Sequence, residues 1–149
     1  MTTEAAERWA LAVLRVSLGL FLLLWGLEKF VIPETTVKIW SHFYGLAIGG
    51  AMPVALGVVE SALAVAITVG LWRRSSYGAG LVVHAVSVLS SWRPLLDPWG
   101  LVSGGAPNHL FLAGVPVLAG FVAIYLLRDR DVWTLDVWLA RRRATQFAK

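Results

Sequence analysis

Four long blocks of apolar residues dominate this sequence and restrict the class of fold it can adopt. They cover approximately residues 9–26, 51–72, 77–92 and 109–127 and consist largely of Ala, Val, Leu, Ile and Gly. A helix needs about 20 apolar residues to cross roughly 30 Å of hydrocarbon, so the blocks predict four transmembrane helices. Leu-, Ala- and Gly-rich runs of this length lack the alternation of a barrel strand. The predicted fold is an all-α, polytopic membrane protein, an antiparallel four-helix bundle that forms one domain over residues 1–149.

Composition agrees with a membrane protein and excludes several kinds of chemistry. Charged residues make up 15% of the chain, whereas a soluble domain carries about a quarter. The chain has no cysteine, which excludes disulfides, thiol catalysis, Cys-ligated zinc and iron–sulfur clusters. It also contains no HExxH, P-loop or GxGxxG motif. We therefore expect neither a metal site nor a flavin site of the chain's own.

The distribution of basic residues predicts the topology and argues against nucleic acid as a partner. Of the 13 Lys and Arg residues, all but Lys29, Lys38 and Arg93 fall on one side of the predicted spans. This bias is the positive-inside pattern, which places both termini in the cytoplasm and predicts a multi-pass protein of the inner (plasma) membrane. The first block lacks a small-x-small cleavage site, so it is expected to be retained as a span.

The segments between and after the blocks predict further elements at the membrane surfaces. Residues 73–76 (Arg-Arg-Ser-Ser) indicate a tight inner turn, and a helix that starts near Pro33 is expected along the outer surface. Residues 93–108, rich in Pro and Gly, predict an irregular outer loop. The tail, residues 128–149, predicts an amphipathic helix on the inner surface whose basic end favours anionic lipid.

Glu60 and His84 stand out because each lies near the middle of an apolar block. An ionisable side chain at this depth costs about 2.5 kcal/mol or more, so it usually faces the bundle interior and has a partner. At about 1.5 Å per residue from the inner ends, Arg15 lies about 9 Å deep, His84 about 13 Å and Glu60 about 18 Å. The last two are thus predicted to lie within about one helical turn in depth, where a contact is geometrically possible.

Each predicted span has one face of small and polar residues that is expected to turn inward, because such residues allow close helix packing in lipid. The four faces consist of Arg15, Gly19, Gly26 and Lys29; Pro53, Gly57, Glu60, Ala64 and Thr68; Tyr77, Gly80, His84, Ser87 and Ser91; and His109, Ala113, Pro116, Gly120 and Ala123.

The first two spans resemble those of the DoxX-like membrane proteins. The residues that carry the resemblance are 14–20 (Leu-Arg-Val-Ser-Leu-Gly-Leu), 25–30 (Trp-Gly-Leu-Glu-Lys-Phe), 57–60 (Gly-Val-Val-Glu) and 69–73 (Val-Gly-Leu-Trp-Arg). The resemblance covers the four-span core, approximately residues 8–127, and supports Glu60 but not His84. It implies a small four-helix membrane protein that serves as a subunit or partner of oxidoreductases. The third span, the outer loop and the tail match the family less well.

The expected function is therefore that of a membrane subunit of a redox complex, which binds quinone or another small lipophile inside the bundle. Glu60 and His84 are the candidate catalytic pair, because they can hydrogen-bond a quinone carbonyl and carry its protons. Arg15, Glu28 and Lys29 are expected to shape the electric field there. Trp25 and Trp92 can stack on a ring. The chain would at most be an accessory enzyme subunit, with the bilayer and either partner subunits or further copies of itself as partners.

Structural interpretations of the same residues remain open. Glu60 and His84 can form a purely structural hydrogen bond, and Arg15 can reach the inner headgroups or join a structural network. Glu28 can pair with Lys29 or Arg93, and the Trp residues can form an interfacial belt. Lys29, Arg93 and His109 can anchor to headgroups. The alternative functions are a non-catalytic scaffold or assembly factor and, with less support, a small transporter.

Overall fold

The computed structural model describes residues 1–105 and 109–147, and all regular structure in these residues is helical. The helices are α1 (Thr3–Val31), α2 (Pro33–Tyr44), α3 (Met52–Val69), α4 (Arg73–Ser90), α5 (Trp92–Leu96), α6 (Gly114–Leu126) and α7 (Leu135–Phe147), and a 3₁₀ turn (Leu110–Ala113) precedes α6. Pro107 of the predicted outer loop and Lys149 of the basic tail lie outside the described residues. The all-α prediction is confirmed for the residues described.

Local sequence signals account for several helix ends. Thr2 caps α1 by accepting a hydrogen bond from the Ala5 N–H, as N-cap Thr side chains do. Pro33 occupies the first turn of α2, where its missing N–H costs nothing, and this confirms the helix predicted there. Gly45 and Gly70 end α2 and α3 with φ of 65° and 70°, a left-handed conformation that glycine adopts without steric cost.

The longest packing seam joins α1 to α3, which run antiparallel. Gly19 of α1 faces Thr68 of α3, and Gly26, two turns later on α1, faces Ser61, two turns earlier on α3. A Cβ at Gly19 would lie 2.1 Å from the Thr68 Oγ1, and one at Gly26 would lie 2.5 Å from the Ser61 Oγ. The two backbones therefore approach closely only because both positions are glycine.

The helices α1, α3, α4 and α6 contact one another in a closed ring, with α1 against α3, α3 against α4, α4 against α6, and α6 against α1. The buried hydrophobic residues inside it are Leu11, Leu18, Leu22, Ala64, Ile67, Tyr77, Phe121 and Ile124. The inward faces predicted for α1, α3 and α4 include residues that are buried in the structure. The face predicted for the fourth span is only partly turned inward: Ala113 and Pro116 are exposed, whereas Gly120 packs against Leu14 and Leu18 of α1. Phe121 and Ile124 supply the buried core side chains of α6.

The connection between α3 and α4 lies earlier in the chain than predicted. The end of the bundle that holds this connection is called the inner end, after the orientation expected from the sequence, and the opposite end the outer end. Residues 73–76 form the first turn of α4, and the chain reverses at Gly70 and Trp72. Asp136 makes the earlier start possible, because its carboxylate accepts hydrogen bonds from the N–H groups of Trp72 and Arg73, at 2.9 Å each. Sequence alone gives no sign that a side chain so distant caps this helix.

Two described helices, α1 and α3, are long and apolar enough to cross a bilayer by length and composition. The ring also exposes a large apolar surface. Leu24 on α1, Val59 on α3, Val82 on α4 and Leu126 on α6 are each 62–69% exposed. The chain has 9756 Å² of accessible surface, whereas a soluble monomer of 16.2 kDa has about 7,500 Å². Apolar surface of this extent is typical of proteins that contact lipid or a partner.

Candidate functional site

The most deeply buried polar cluster lies near the inner ends of the helices and centres on Arg15 and Asp131. The Arg15 Nε lies 3.0 Å from the Asp131 Oδ2, and the two side chains are 6% and 1% exposed. The two terminal nitrogens of the guanidinium donate hydrogen bonds to the backbone carbonyl oxygens of Thr68 and Trp133. Tyr77 donates its hydroxyl to the same Asp131 oxygen at 2.7 Å. The cluster therefore joins α1, α3 and α4 to the segment between α6 and α7.

A second inner cluster fastens the α3–α4 turn to the start of α7. The Arg73 guanidinium donates to the carbonyl oxygens of Arg128 and Asp131, at 2.6 and 2.7 Å. Its Nε lies 3.5 Å from the Asp136 carboxylate that caps α4. Gly70 packs so tightly on Thr134 that a Cβ would lie 2.6 Å from that side chain. These contacts hold the first part of the tail against the bundle.

His84 lies in the middle of the bundle and is buried. Its Nε2 is 3.0 Å from the carbonyl oxygen of Gly114, and since a carbonyl only accepts, Nε2 carries the proton of this bond. Its ring contacts Phe21 edge-on at 5.4 Å between centroids and packs on Phe121 at 5.5 Å. His84 is thus held by a backbone oxygen and two phenyl rings.

The outer end of the α1–α3 seam contains the second intrabundle ion pair. The Lys29 Nζ lies 2.7 Å from the Glu60 Oε2, with the two side chains 14% and 16% exposed. The same Nζ donates to the backbone oxygen of Trp25 at 3.0 Å. Tyr44, at the end of α2, lies close to Ser90 and within electrostatic range of Glu60, while the Ser90 hydroxyl donates to the carbonyl oxygen of Val86 at 2.7 Å. Burial is the main reason that the pKa of Tyr44 is raised above its ordinary value.

A cavity of about 320 Å³ opens between α2, the end of α4 and α5. Its lining residues are His42, Phe43, Ser90, Trp92, Arg93 and Pro94. The walls therefore combine two aromatic rings with a hydroxyl, an imidazole and a guanidinium. The Arg93 guanidinium lies 5.4 Å from the centre of the Trp92 ring, within the range of a cation–π contact. This combination suits a ligand that has an apolar ring and oxygen acceptors.

The structure separates the residues that the sequence suggested as one site. Of the residues described, Glu60 pairs with Lys29 and His84 with the Gly114 backbone, so no hydrogen bond or ion pair joins Glu60 to His84. Arg15 belongs to the inner cluster with Asp131. Glu28 is half-buried on α1 and, in the described part of the chain, forms no ion pair with Lys29 or Arg93.

The two tryptophans of the predicted set occupy different positions. Trp92 lines the outer cavity and is 54% exposed. Trp25 is not among the lining residues; its ring contacts Phe21 on α1, with centroids 6.3 Å apart. Of the predicted set, only Trp92 therefore belongs to the cavity itself, while Glu60 lies within electrostatic range of Tyr44, the residue after Phe43 of the lining.

Sequence reasoning missed Asp131, Tyr77 as its partner, and Asp136. The two aspartates lie in a tail that looks like a basic surface helix, and their roles depend on contacts with residues more than fifty positions away. One sequence signal could have identified Asp131, because a buried Arg15 requires a counter-ion. The acidic residues that follow the last apolar block lie near the inner end and were candidates for this counter-ion.

Comparison with family models, curated proteins and solved structures gives no match to this chain. Among the residues described, no group of three or more His, Asp and Glu side chains could hold a metal ion. The resemblance to DoxX-like proteins therefore stays a hypothesis, and the function is argued from the clusters and the cavity.

Proposed function

We propose that the chain is an integral membrane protein in which α1, α3, α4 and α6 cross the bilayer as four antiparallel spans. At 1.5 Å per residue, α3 and α4 are each about 27 Å long, and the 3₁₀ turn with α6 adds up to about 28 Å. These lengths match a hydrocarbon core of about 30 Å. All four helices expose large apolar side chains to the outside, such as Leu24, Val59, Val82 and Leu126.

The basic residues favour an orientation with both termini in the cytoplasm of an inner membrane. Because the chain has no cysteine, single cysteines report on this topology without background. Val102→Cys in the outer loop should react with an impermeant maleimide in intact cells, and Thr145→Cys on α7 should react only after lysis. Both positions are exposed, so access to the side chain does not limit either reaction. The opposite labelling pattern would refute the orientation.

Within this frame, the function that the geometry supports best is binding of a quinone or a similar lipophile in the outer cavity. The observation that carries this proposal is the lining itself, in which Phe43 and Trp92 supply apolar ring faces and Arg93 supplies a donor. A volume of about 320 Å³ lies at the lower end of ligand pockets, which suits a single ring with its tail left in the lipid.

A proton path to this ligand is available through neighbouring side chains. Ser90 lines the cavity, with its hydroxyl donated to the Val86 carbonyl oxygen, and Tyr44 lies close to Ser90 and within electrostatic range of Glu60. Glu60 in turn is paired with Lys29 at 2.7 Å. In this proposal, protons would pass by way of Ser90, Tyr44 and Glu60 between the cavity and the ionisable pair inside the bundle. Electrons would come from a partner subunit, so this chain would serve as the membrane subunit of an oxidoreductase.

Binding of a short-chain quinone analogue to purified protein in detergent tests this proposal. Phe43→Ala and Arg93→Ala should each weaken binding about tenfold, since a charge-assisted hydrogen bond or a ring contact is worth about 1–2 kcal/mol. Lys38→Ala is the matched control, because Lys38 is an exposed cation on α2 that does not line the cavity. Unchanged affinity in both cavity variants would remove the site.

Two further variants test whether the site extends into the bundle. If Glu60 and His84 act together on the ligand, Glu60→Gln and His84→Ala should both weaken binding. If the outer cavity acts with the Ser90–Tyr44–Glu60 path, His84→Ala should leave affinity unchanged. Glu60→Gln should then alter the pH dependence of proton-coupled turnover in the assembled complex.

A scaffold or assembly function is the second candidate, and one specific observation favours it. Arg15, Lys29, Glu60 and His84 all have partners within the chain. Buried groups that are satisfied in this way fix helix packing without any ligand. This function predicts that Glu60→Gln lowers the yield of the assembled complex while turnover per complex stays the same.

A further inference from the structure

A second cavity, of about 460 Å³, lies at the inner end of the molecule, opposite the outer cavity. It is formed where the α3–α4 turn meets the end of α6 and the start of α7. Its lining residues are Trp72, Arg73, Arg74, Ser75, Arg128, Asp129 and Asp136. Three arginines and two aspartates therefore surround it.

The charges that remain free for a ligand are fewer than this lining suggests. Asp136 is engaged by two backbone N–H groups and the Arg73 guanidinium. Arg73 is engaged by the carbonyl oxygens of Arg128 and Asp131. Within the described residues Arg74 has no hydrogen bond or ion pair. Arg128 donates from Nη1 to the Tyr125 carbonyl oxygen at 2.8 Å, stacks on the Tyr125 ring at 4.8 Å and lies 3.9 Å from the exposed carboxylate of Asp129. Arg74 is thus the free cation of this cavity, and Arg128, held in place by Tyr125, can offer a ligand its remaining N–H groups.

Trp72 provides an independent reason to regard this cavity as a site. It is the only non-glycine residue with positive φ in the described chain, at φ 49° and ψ 49°. A bulky residue in this conformation is strained and persists only when its surroundings enforce it, as at binding sites. Asp136 enforces it here through the Trp72 N–H, and the indole is left 70% exposed at the rim. An exposed indole of this kind is typical of the headgroup level of a membrane.

We propose that this inner cavity binds the phosphate of an anionic phospholipid, with Arg74 and Arg128 on the phosphate oxygens and Trp72 beside the glycerol. Guanidinium groups present paired N–H donors that match phosphate geometry. Asp129 competes with the ligand for Arg128 and so limits its affinity. The inference rests on the proposed insertion in a membrane and is independent of the lipophile bound at the outer cavity.

The same phosphate chemistry is offered by a lipid or by free phosphate, so the experiment has an arm for each. Native mass spectrometry of the purified protein follows retention of a phosphatidylglycerol during titration, with and without millimolar inorganic phosphate. Arg74→Gln should weaken lipid retention about tenfold, and Asp129→Asn should strengthen it several-fold. Arg141→Gln is the matched control, because it removes an exposed cation of α7 that does not line the cavity.

The pattern of outcomes decides the proposal. Opposite effects of the Arg74 and Asp129 variants, with an unchanged Arg141 variant and little competition from inorganic phosphate, support a lipid site. Equal losses in the Arg74 and Arg141 variants would show a diffuse basic surface and overturn it. Full displacement by inorganic phosphate would overturn the lipid as the ligand. Extraction of membranes with alkaline carbonate tests insertion itself, so its failure is distinguishable from failure of this site.

Discussion

The buried pair of Arg15 and Asp131 allows a sharp prediction about stability. Asp131→Asn keeps the shape of the side chain and removes its charge. The Arg15 guanidinium would then remain almost wholly buried, with only the carbonyl oxygens of Thr68 and Trp133 and a neutral amide around it. We expect the variant to fold less stably because a buried positive charge has lost its counter-ion.

The size of the effect follows from the geometry. At an effective dielectric constant of about 20, two charges 3.0 Å apart attract by roughly 5 kcal/mol, and the cost of burying them offsets much of this in the intact protein. Removing one partner leaves that burial cost uncompensated, so Asp131→Asn should lower the free energy of unfolding by about 3–5 kcal/mol. Tyr77→Phe removes only one hydrogen bond to the carboxylate and should cost about 1.5–3 kcal/mol.

Reversible unfolding in mixed detergent and dodecyl sulfate micelles, followed by tryptophan fluorescence, measures these differences. Trp133 reports on the cluster, because it packs edge-on against Trp9 at 4.9 Å and its carbonyl binds Arg15. The neighbouring Arg130 supplies the control. Its pair with Glu7 is exposed, and Arg130→Gln should cost at most about 1 kcal/mol.

A double replacement separates charge burial from packing. Arg15→Met combined with Asp131→Leu removes both charges and should cost less than Asp131→Asn alone, because no unpaired charge remains. The reasoning is refuted if Asp131→Asn costs no more than Arg130→Gln. It is refuted equally if the double variant costs the sum of its two single changes.

Two further predictions concern the helix seam and the outer loop. Gly26→Ala would place a Cβ 2.5 Å from the Ser61 Oγ and should lower the free energy of unfolding by about 1–3 kcal/mol. Gly49→Ala is the control, because a Cβ there has no atom within 4 Å and should leave the free energy of unfolding unchanged. Hydrogen bonds from the N–H groups of Ser103, Val102 and Leu101 hold the pKa of Asp97 below its ordinary value. The ionised carboxylate therefore stabilises the loop above about pH 4, and this stabilisation is lost as the pH falls through the lowered pKa. Trp99 fluorescence should therefore change on acidification of the wild type, and Asp97→Asn should already show the altered signal at neutral pH; an unaltered Asp97→Asn signal would contradict the prediction.

Local patterns predicted the helices but not all of their limits. Apolar blocks and Pro33 suffice to locate α1, α2 and α3, because the signals for these elements lie within the elements themselves. The start of α4 was placed at Tyr77 rather than Arg73, since the cap that permits the earlier start comes from Asp136. Helix limits set by distant side chains cannot be deduced from local sequence.

The partners of the buried charges were harder to predict than the charges themselves. Depth along a helix is readable at 1.5 Å per residue, and this correctly separated Arg15 from Lys29. Rotation about the helix axis is not readable in the same way, so the direction of Glu60, toward Lys29 and away from the His84 imidazole, emerged only from the structure. The rotation of α6 explains in the same way why Ala113 and Pro116 of its predicted inward face are exposed.

The two ion pairs on α1 have a joint consequence that neither has alone. Arg15 and Lys29 lie about 21 Å apart on one helix, and their carboxylate partners come from different segments, Asp131 after α6 and Glu60 on α3. A slip of α1 by one turn, about 5.4 Å, would break both pairs at once, whereas apolar side chains in lipid tolerate such a slip far better. Buried ion pairs add little net stability over well-packed apolar residues. We therefore infer that these pairs act mainly to select one register of α1 against α3 and against the segment that follows α6.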